Sequence, residues 1–412
     1  MKKWNFGKKA ADTSAMAEPI SMQTPRNAYY DGISNIYHSL FLILLAALLV
    51  FVCVAMLCNI ELFTYENFYY LAKDISAASD LLAGSGNVIN YETSARNQTF
   101  ALYRGGLAVG GDSGLQLFTA TGRETLNSSP DYIAPVLHGS EKYLLMYDIG
   151  ERRYSVYNSF VCVHHEECGY PVFTGAMSDS GYYAVVTESY SHAGVVNLYN
   201  DHFELVNRYN RTDMVVNTAI NDAGDRLAFT TAGMKNGAYY TTLVIAIPGE
   251  AEVSSELVFD GLFPYSIEFI DRHRLLLVGD TACYVISVHD GAQISGIRYS
   301  AEQQLAYADA SSSYVALAFS VNAVTDTYRL IVTDNNGGMA MDQTFDAGLL
   351  SMTAYAQSLF LLTDTGIARI SVKDATYDFI ACQTDGKSLL ICSTDEVLLC
   401  GGQSAVYYEF ED

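Results

Sequence analysis

Short apolar segments recur along most of this 412-residue chain. Each five-residue segment follows a polar turn and precedes a second strand in which apolar and polar residues alternate more strongly, such as LQLFTA after the first segment. The interval ranges from 37 residues (106 to 143) to 48 residues (227 to 275). No helical periodicity interrupts the pattern, which therefore predicts an all-β region. The segments are GLAVG (106–110), YLLMY (143–147), YAVVT (183–187), LAFTT (227–231), LLLVG (275–279), VALAF (315–319), LFLLT (359–363) and VLLCG (397–401).

Self-similarity with a period near 40 residues and four strands per unit is typical of a β-propeller. Eight strong segments predict about eight four-stranded blades, with seven as the alternative and a pair of stacked β-sandwiches as a rival architecture. The last unit ends one strand short, at SAVYYEFED. The stretch NVINYET (87–93) is expected to supply the missing outer strand and to close the ring, which removes an open sheet edge.

Two similar turns mark the repeat. The sequence SDSGYYAVVTE (178–188) returns 43 residues later (221 − 178) as NDAGDRLAFTT (221–231). Asp179, Gly181, Asp222 and Gly224 are predicted to be structural turn residues, with glycine where the turn requires a positive φ. The turn is expected to join an outer segment to the next blade strand.

One segment near the N-terminus differs from the repeats. Leu40–Leu57 (LFLILLAALLVFVCVAML) carries no charge and, as a helix of 1.5 Å rise per residue, spans about 27 Å. The sequence therefore predicts a retained transmembrane signal anchor at 39–59. The sequence thus predicts four regions in the chain: a disordered cytoplasmic tail (1–38), the anchor (39–59), a juxtamembrane helix and linker (60–86) and an extracellular propeller (87–412).

The charges that flank the apolar segment predict its orientation. Basic residues precede it and mainly acidic residues follow it, which places the N-terminus in the cytoplasm in a single-pass type II topology. The formal net charge of the chain is −23, which argues against a nucleic-acid partner because phosphate binding needs a basic surface. The flanking residues are Lys2, Lys3, Lys8, Lys9 and Arg26 before the segment, and Glu61, Glu66, Lys73, Asp74 and Asp80 after it.

The run CVHHEEC (162–168) is the densest cluster of metal-ligand residue types. Cys162, His164, His165 and Cys168 are weak candidates for a metal site. A disulfide that closes this run, or two ordinary thiols, are the alternatives. The remaining histidines are scattered, and those near turns, such as His138, are expected at the surface.

No catalytic motif was identified. Asp148, Glu188, Asp280 and Asp364 follow apolar strands and are the carboxylates that a propeller enzyme would place at its central channel. We predict no catalytic residue and no cofactor.

Three stretches resemble a known family: FTYENFYYLAKDI, APVLHGSEKYLLMYDIG followed by YSVYNS, and SDSGYYAVVTES. In their order they are similar to the bacterial membrane-anchored proteins of domain-of-unknown-function family 5711, over about residues 39–412. The resemblance implies the location and the fold, and no catalytic residues. The turns resemble more distantly those of WD40-like, TolB-like and quinoprotein-like propellers, but Trp-Asp dipeptides are absent and the one Trp is Trp4, which argues against a quinone cofactor.

These observations together favour a non-enzymatic, membrane-anchored extracellular propeller that binds a protein or a component of the cell envelope. The alternative is a propeller-type lactonase, lyase or hydrolase, with or without a divalent cation. A third interpretation is a sensor that signals through the single helix.

Overall fold

The computed structural model describes residues 28–58, 88–91, 97–300, 302–322, 326–382 and 386–410. The chain divides into two units, Met1–Leu71 and Ala72–Asp412. The predicted juxtamembrane helix at 60–86 and the first 27 residues of the predicted tail lie outside the described residues.

The described part of the first unit is one helix, α1 (Ala28–Cys58). The helix includes the apolar segment and also residues 28–38 of the predicted tail. By length and hydropathy, no helix within the described residues qualifies as a membrane span. The transmembrane anchor therefore stays a prediction.

The second unit contains eight antiparallel sheets of four strands among its described residues. After β1 (Val88–Asn90), consecutive groups of four strands form blades 1 to 7, and the last three strands together with β1 form blade 8. This confirms the predicted eight-bladed, all-β propeller.

The strands of blades 1 to 4 are β2 (Thr99–Tyr103), β3 (Gly106–Gly111), β4 (Gly114–Phe118) and β5 (Glu124–Ser128); β6 (Pro135–Gly139), β7 (Leu144–Asp148), β8 (Arg153–Tyr157) and β9 (Cys162–Glu167); β10 (Val172–Met177), β11 (Tyr183–Ser189), β12 (His192–Tyr199) and β13 (Leu205–Arg211); and β14 (Met214–Ile220), β15 (Leu227–Lys235), β16 (Ala238–Ala246) and β17 (Val253–Asp260).

Those of blades 5 to 8 are β18 (Pro264–Phe269), β19 (Arg274–Gly279), β20 (Ala282–Ser287) and β21 (Gln293–Arg298); β22 (Gln304–Ala310), β23 (Tyr314–Asn322), β24 (Thr327–Asp334) and β25 (Met339–Asp346); β26 (Leu349–Tyr355), β27 (Ser358–Thr363), β28 (Gly366–Ser371) and β29 (Tyr377–Ala381); and β30 (Ser388–Ile391), β31 (Glu396–Cys400) and β32 (Ser404–Glu409).

Burial changes from the axis of the ring to its rim. First strands of neighbouring blades contact one another, as β10 does with β14 and β14 with β18, so they surround the central channel. Every residue of the second strands β3 and β7 is buried, because both faces pack against other blades. Fourth strands form the rim, and β17 alternates between half-buried and exposed residues. An apolar cluster lies in each of the eight spaces between the described blades.

The ring closes as the sequence predicts. β1 pairs antiparallel with β32, with Val88 opposite Val406 and Asn90 opposite Ser404, and becomes the outer strand of blade 8. Tyr91 follows β1 and donates its hydroxyl hydrogen to the carbonyl of Gly401 at 2.7 Å. The N-terminal strand is thus part of the last blade.

The prediction for the polar turns was wrong in one respect. The turn that contains Asp179 and Gly181 joins β10 to β11, the first and second strands of one blade, and does not join an outer segment to the next blade. β10 (VFTGAM) mixes apolar residues with Thr and Gly, so the pattern did not identify it as the first strand of the same blade. Gly181 has φ = 94° and Gly224 has φ = 72°, a region that favours glycine.

We expect ring closure to depend on Ile89, which is fully buried between blades 8 and 1. Ile89→Ala should lower the free energy of unfolding by about 2–5 kcal/mol, because it removes apolar contacts and leaves a cavity. Urea denaturation of the full chain measures this loss. Val88→Ala is the matched control, because Val88 is 47% exposed in the same strand; its expected change is within about 0.5 kcal/mol. Equal effects of the two substitutions would contradict the role of Ile89.

Candidate functional site

Two carboxyl groups meet at the central channel between blades 5 and 6. Glu268 lies on β18 opposite Leu276, and Asp309 lies on β22 opposite Ala316. The two side chains hydrogen-bond to each other. First strands line the axis, so this pair lies at the inner wall of the ring.

The two carboxyl groups have different environments. Asp309 accepts backbone hydrogen bonds from Ala354 of blade 7 at 2.8 Å and from Ala310 at 2.9 Å. The Oε1 atom of Glu268 is enclosed and has no hydrogen-bond partner within the described structure. Burial, and then the charge of Asp309, raise the pKa of Glu268 to about 8. Burial also raises the pKa of Asp309, but the two N–H donors counteract this effect. The N–H donors at Asp309 favour its ionised form, whereas the raised pKa of Glu268 favours its protonated form.

A protonated and an ionised carboxyl group in contact can act as an acid and a base. This pair is not apparent from the sequence, because 41 positions (309 − 268) separate the two residues. A signal was nevertheless present, since each residue is an acidic position inside a strand (SIEF and AYADA).

His138 occupies a first strand in blade 2. The residue was expected at the surface, but it lies in β6 with its ring stacked on that of Tyr147 (5.8 Å between centroids). Burial lowers the pKa of His138 to about 4. The imidazole is therefore neutral at physiological pH.

The carboxylates predicted for an enzymatic channel belong to different blades. Asp148 is fully buried, and its oxygens accept hydrogen bonds from the N–H groups of Ile133 at 2.9 Å and Ala134 at 2.6 Å. Asp280 similarly accepts a hydrogen bond from Phe263 N–H at 2.8 Å. Both carboxylates hold the loop that leads into the first strand of their own blade.

The other two members of this set are also dispersed. Glu188 is half-buried in β11 of blade 3. Asp364 follows β27 of blade 7 and lies against Gly348, where an added Cβ would approach its Cγ to 3.2 Å. The four carboxylates thus occupy blades 2, 3, 5 and 7 and do not form one site.

The CVHHEEC run forms β9, the outer strand of blade 2, and its potential ligands point to opposite faces. His164 stacks on Phe203 of blade 3 (5.0 Å, 4°), whereas His165 bonds to Ser155 at 2.9 Å on the other face. Cys162 and Cys168 are free thiols at opposite ends of a segment about 20 Å long, beyond the reach of a disulfide. Among the described residues, no three His, Cys, Asp or Glu side chains form a group that could hold a metal ion.

The predicted turn residue Asp179 borders a cavity of about 500 Å³ at the first-to-second-strand turns of blades 1 to 3. Its Oδ1 accepts the N–H of Glu141 in blade 2 at 3.0 Å, and the Nε–H of Arg104 in blade 1 donates to the carbonyl of Glu141 at 3.2 Å. The lining residues are Leu102, Arg104, Gly105, Gly139, Ser140, Glu141 and Asp179. The turns of three blades thereby form one concave surface with charges of both signs.

Other turns between first and second strands also form hydrogen bonds with the neighbouring blade. The N–H of Ser180 in blade 3 donates to the carbonyl of Asp222 in blade 4 at 3.0 Å. Partial burial, and then the charge of Asp179, raise the pKa of Asp222. Arg274 in blade 5 donates to the carbonyl of Ser312 in blade 6 at 2.8 Å. We call this set of first-to-second-strand turns the turn face; hydrogen bonds between neighbouring blades connect several of its turns.

The family model described as a family of unknown function (DUF5711) matches residues 86–395. The chain belongs to this family. The match covers β1 to β30 of this DUF5711 protein and confirms the family resemblance, although the stretch FTYENFYYLAKDI and the strands β31 and β32 lie outside it. No curated protein matches.

The same fold is found in a solved structure. The computationally designed Ika8 protein is 10% identical, with a TM-score of 0.58, and the alignment covers 79% of this chain and all of that one. BamB from Moraxella catarrhalis is 9% identical, with a TM-score of 0.40 and coverage of 67% and 96% of the two chains. At 10% identity the likeness to Ika8 concerns the fold alone.

We expect the carboxyl pair to make stability pH-dependent. Glu268 is protonated in the folded protein up to about pH 8, whereas its ordinary pKa is 4.5. Between pH 4.5 and about 8 the folded state therefore binds more protons than the unfolded state. The contribution of Glu268 to the free energy of unfolding falls as the pH rises through this range. In Glu268→Gln, the free energy of unfolding should decrease less steeply with pH. The difference in slope is at most about 1.4 kcal/mol per pH unit, the limit for one proton.

Urea denaturation at pH 5, 6, 7 and 8 measures the slope for both proteins. Glu252→Gln, at an exposed position, is the control and should retain the wild-type slope. A Glu268→Gln slope identical to that of the wild type would show that Glu268 ionises in the folded protein as it does in the unfolded chain.

Proposed function

We propose that this DUF5711 protein is a membrane-anchored binding protein whose turn face recognises a protein or a component of the cell envelope. The observation that carries the proposal is the 500 Å³ cavity at blades 1 to 3, bordered by Arg104, Glu141 and Asp179. A concave site on a rigid scaffold suits recognition, because little conformational entropy is lost when a partner binds.

The lining of the cavity indicates the chemistry of the partner. Arg104 and Glu141 are exposed and present opposite charges, and Asp179 is half-buried beside them. A polar segment with both a cationic and an anionic group fits this arrangement. The net charge of −23 further favours a partner that is basic overall, because opposite charge accelerates association.

Anchoring to a membrane is supported by the composition and exposure of α1. The stretch Leu40–Leu57 is uncharged, and the described apolar side chains in it are exposed, for example Ile43 at 69% and Leu49 at 61%. Burial of such side chains in lipid is favourable in proportion to their apolar area. The flanking charges favour a cytoplasmic N-terminus and an extracellular propeller.

An enzymatic role is the second candidate, and the Glu268–Asp309 pair is the observation that favours it. Two carboxyl groups in contact that share one proton are the arrangement that aspartic proteases use for hydrolysis. The two proposals separate experimentally, because the pair lies in blades 5 and 6 and the cavity in blades 1 to 3.

We expect α1 to hold the protein in the membrane. Leu44→Arg combined with Leu48→Arg should release the full chain from membranes at alkaline pH, because each arginine costs about 2.5–3.5 kcal/mol at the centre of a bilayer helix. Immunoblotting of the pellet and the supernatant after carbonate extraction measures the partition. Leu44→Ala with Leu48→Ala is the matched control and should stay in the pellet. Release of the wild-type chain would contradict anchoring by α1.

We expect partner capture to depend on the charges at the cavity. Arg104→Gln combined with Asp179→Asn removes both charges but leaves the acceptor for Glu141 N–H. Capture of crosslinked partners from membranes, quantified by mass spectrometry, should fall about tenfold, which corresponds to about 1.4 kcal/mol. Arg208→Gln with Asp260→Asn, at exposed positions on the rim, is the control and should capture the wild-type set. Equal capture by both double variants would contradict binding at the cavity.

A further inference from the structure

A second cavity, separate from the turn face, lies between the outer halves of blades 6 and 7. Its volume is about 300 Å³, the lower end of the range of ligand pockets. Its floor consists of the buried aliphatic side chains of Leu330, Leu361 and Ile370 together with Ala368. We call this cavity the rim cleft.

The corresponding space between blades 2 and 3 shows what fills such a gap elsewhere in the ring. There the rings of Tyr154, Tyr183 and Tyr199 pack together with those of His164 and Phe203, and Tyr183 stacks on Tyr199 at 4.8 Å. The rim cleft has an aliphatic floor instead, and Phe345, which stacks on Tyr328 (5.9 Å, 22°), lines its wall from blade 6. The open space beside Phe345 is large enough for one further ring.

The mouth of the rim cleft carries two aromatic side chains. Tyr377 and Phe379, both on β29, line the cleft with their rings nearly parallel (6.1 Å, 11°). Tyr377 is 60% exposed and Phe379 is 41% exposed. Exposed aromatic residues beside an apolar pocket are typical of positions where a partner's side chain is buried.

The backbone beside this mouth is also open. β29 is the last strand of its sheet, so one edge of its N–H and C=O groups has no strand partner within the described structure. An extended peptide can pair with such an edge, and alternate side chains then face the same side as Tyr377 and Phe379. One of these side chains would lie over the rim cleft.

The electrostatic character of the rim cleft selects among peptides. Among the described residues that line it, Asp346 is the one acidic or basic side chain, and it accepts a hydrogen bond from the Thr327 hydroxyl at 2.7 Å. An occupant with a basic residue beside its apolar side chain is therefore favoured over one with an acidic residue.

We propose that the rim cleft binds an extended peptide of a partner protein, which pairs with the edge of β29, inserts an aromatic side chain between blades 6 and 7, and places a lysine or arginine near Asp346. This site is independent of the turn face, because it involves other blades and neither Arg104 nor Asp179.

The probe is the capped peptide Lys-Val-Phe-Val-Lys with 4-fluorophenylalanine at its centre, titrated against the full chain in detergent micelles and observed by ¹⁹F NMR. We expect saturable broadening of the fluorine signal. Replacement of the central ring by trifluoroalanine, replacement of both lysines by glutamate, or N-methylation of alternate amides should each weaken binding at least tenfold. These three peptides test the inserted ring, the charge and the backbone pairing separately.

Variants of the protein test the location. Phe379→Ser should weaken binding of the lysine peptide at least tenfold, and Asp346→Asn should weaken it about threefold and remove most of its salt dependence. Because Phe379 and Asp346 are at the surface, both variants should fold; circular dichroism checks this. Val258→Ser, at a 62% exposed position on the rim strand β17, is the control and should bind as the wild type does.

Hydrogen exchange gives a second readout, since pairing should protect the amides of residues 377–381. The proposal is overturned if binding is not saturable, if the glutamate peptide binds equally well, or if Phe379→Ser and Val258→Ser have the same effect. The Arg104→Gln and Asp179→Asn substitutions should not change binding of this peptide. The proposal for the rim cleft and the proposal for the turn face can therefore fail independently.

Discussion

The pairing of β1 with β32 is the contact on which the rest of the propeller depends. Each blade has two apolar faces, and each face is covered by a neighbouring blade, so an open row of eight blades would leave the faces at its two ends in water. The three residues of β1 complete blade 8, and Ile89 packs into the cluster between blades 8 and 1. Closure therefore lets every blade bury both of its faces, and β1 covers the edge of β32 that a three-stranded last blade would expose.

Much of this architecture was predictable from the sequence because burial is strongest in one class of strand. The second strands are enclosed on both faces and read as continuous apolar runs, which is why all eight were identified. The first strands were not recognised, because they line the channel and mix polar residues with small and apolar ones, as in β22 (QLAYADA). The same difficulty led to the wrong position of the Asp179 turn, since nothing in a local pattern tells which of two adjacent strands is nearer the axis.

The candidate sites were less predictable than the fold, because they consist of residues from different blades. Asp148 and Glu268 are both acidic residues in apolar strands, yet Asp148 accepts hydrogen bonds from a loop of its own blade, whereas Glu268 meets the carboxylate of the next blade. Only the distances between strands distinguish these two environments. The rim cleft was not predictable either, since its lining comes from two blades whose strands are unremarkable when each is considered alone.

The closure of the ring by its first strand also has a consequence for biosynthesis. Val88 pairs with Val406, 318 positions later (406 − 88), and a ribosome that adds roughly 5–20 residues per second needs about 16–64 s to cover that distance. During this time β1 has emerged while its partner strand does not yet exist, so blades 1 to 7 form before the ring can close. Two nascent chains on one messenger can meet within this interval. Exchange of β1 between them is the misassembly that this topology makes easiest, because the exchanged strand would form the same backbone hydrogen bonds in either molecule.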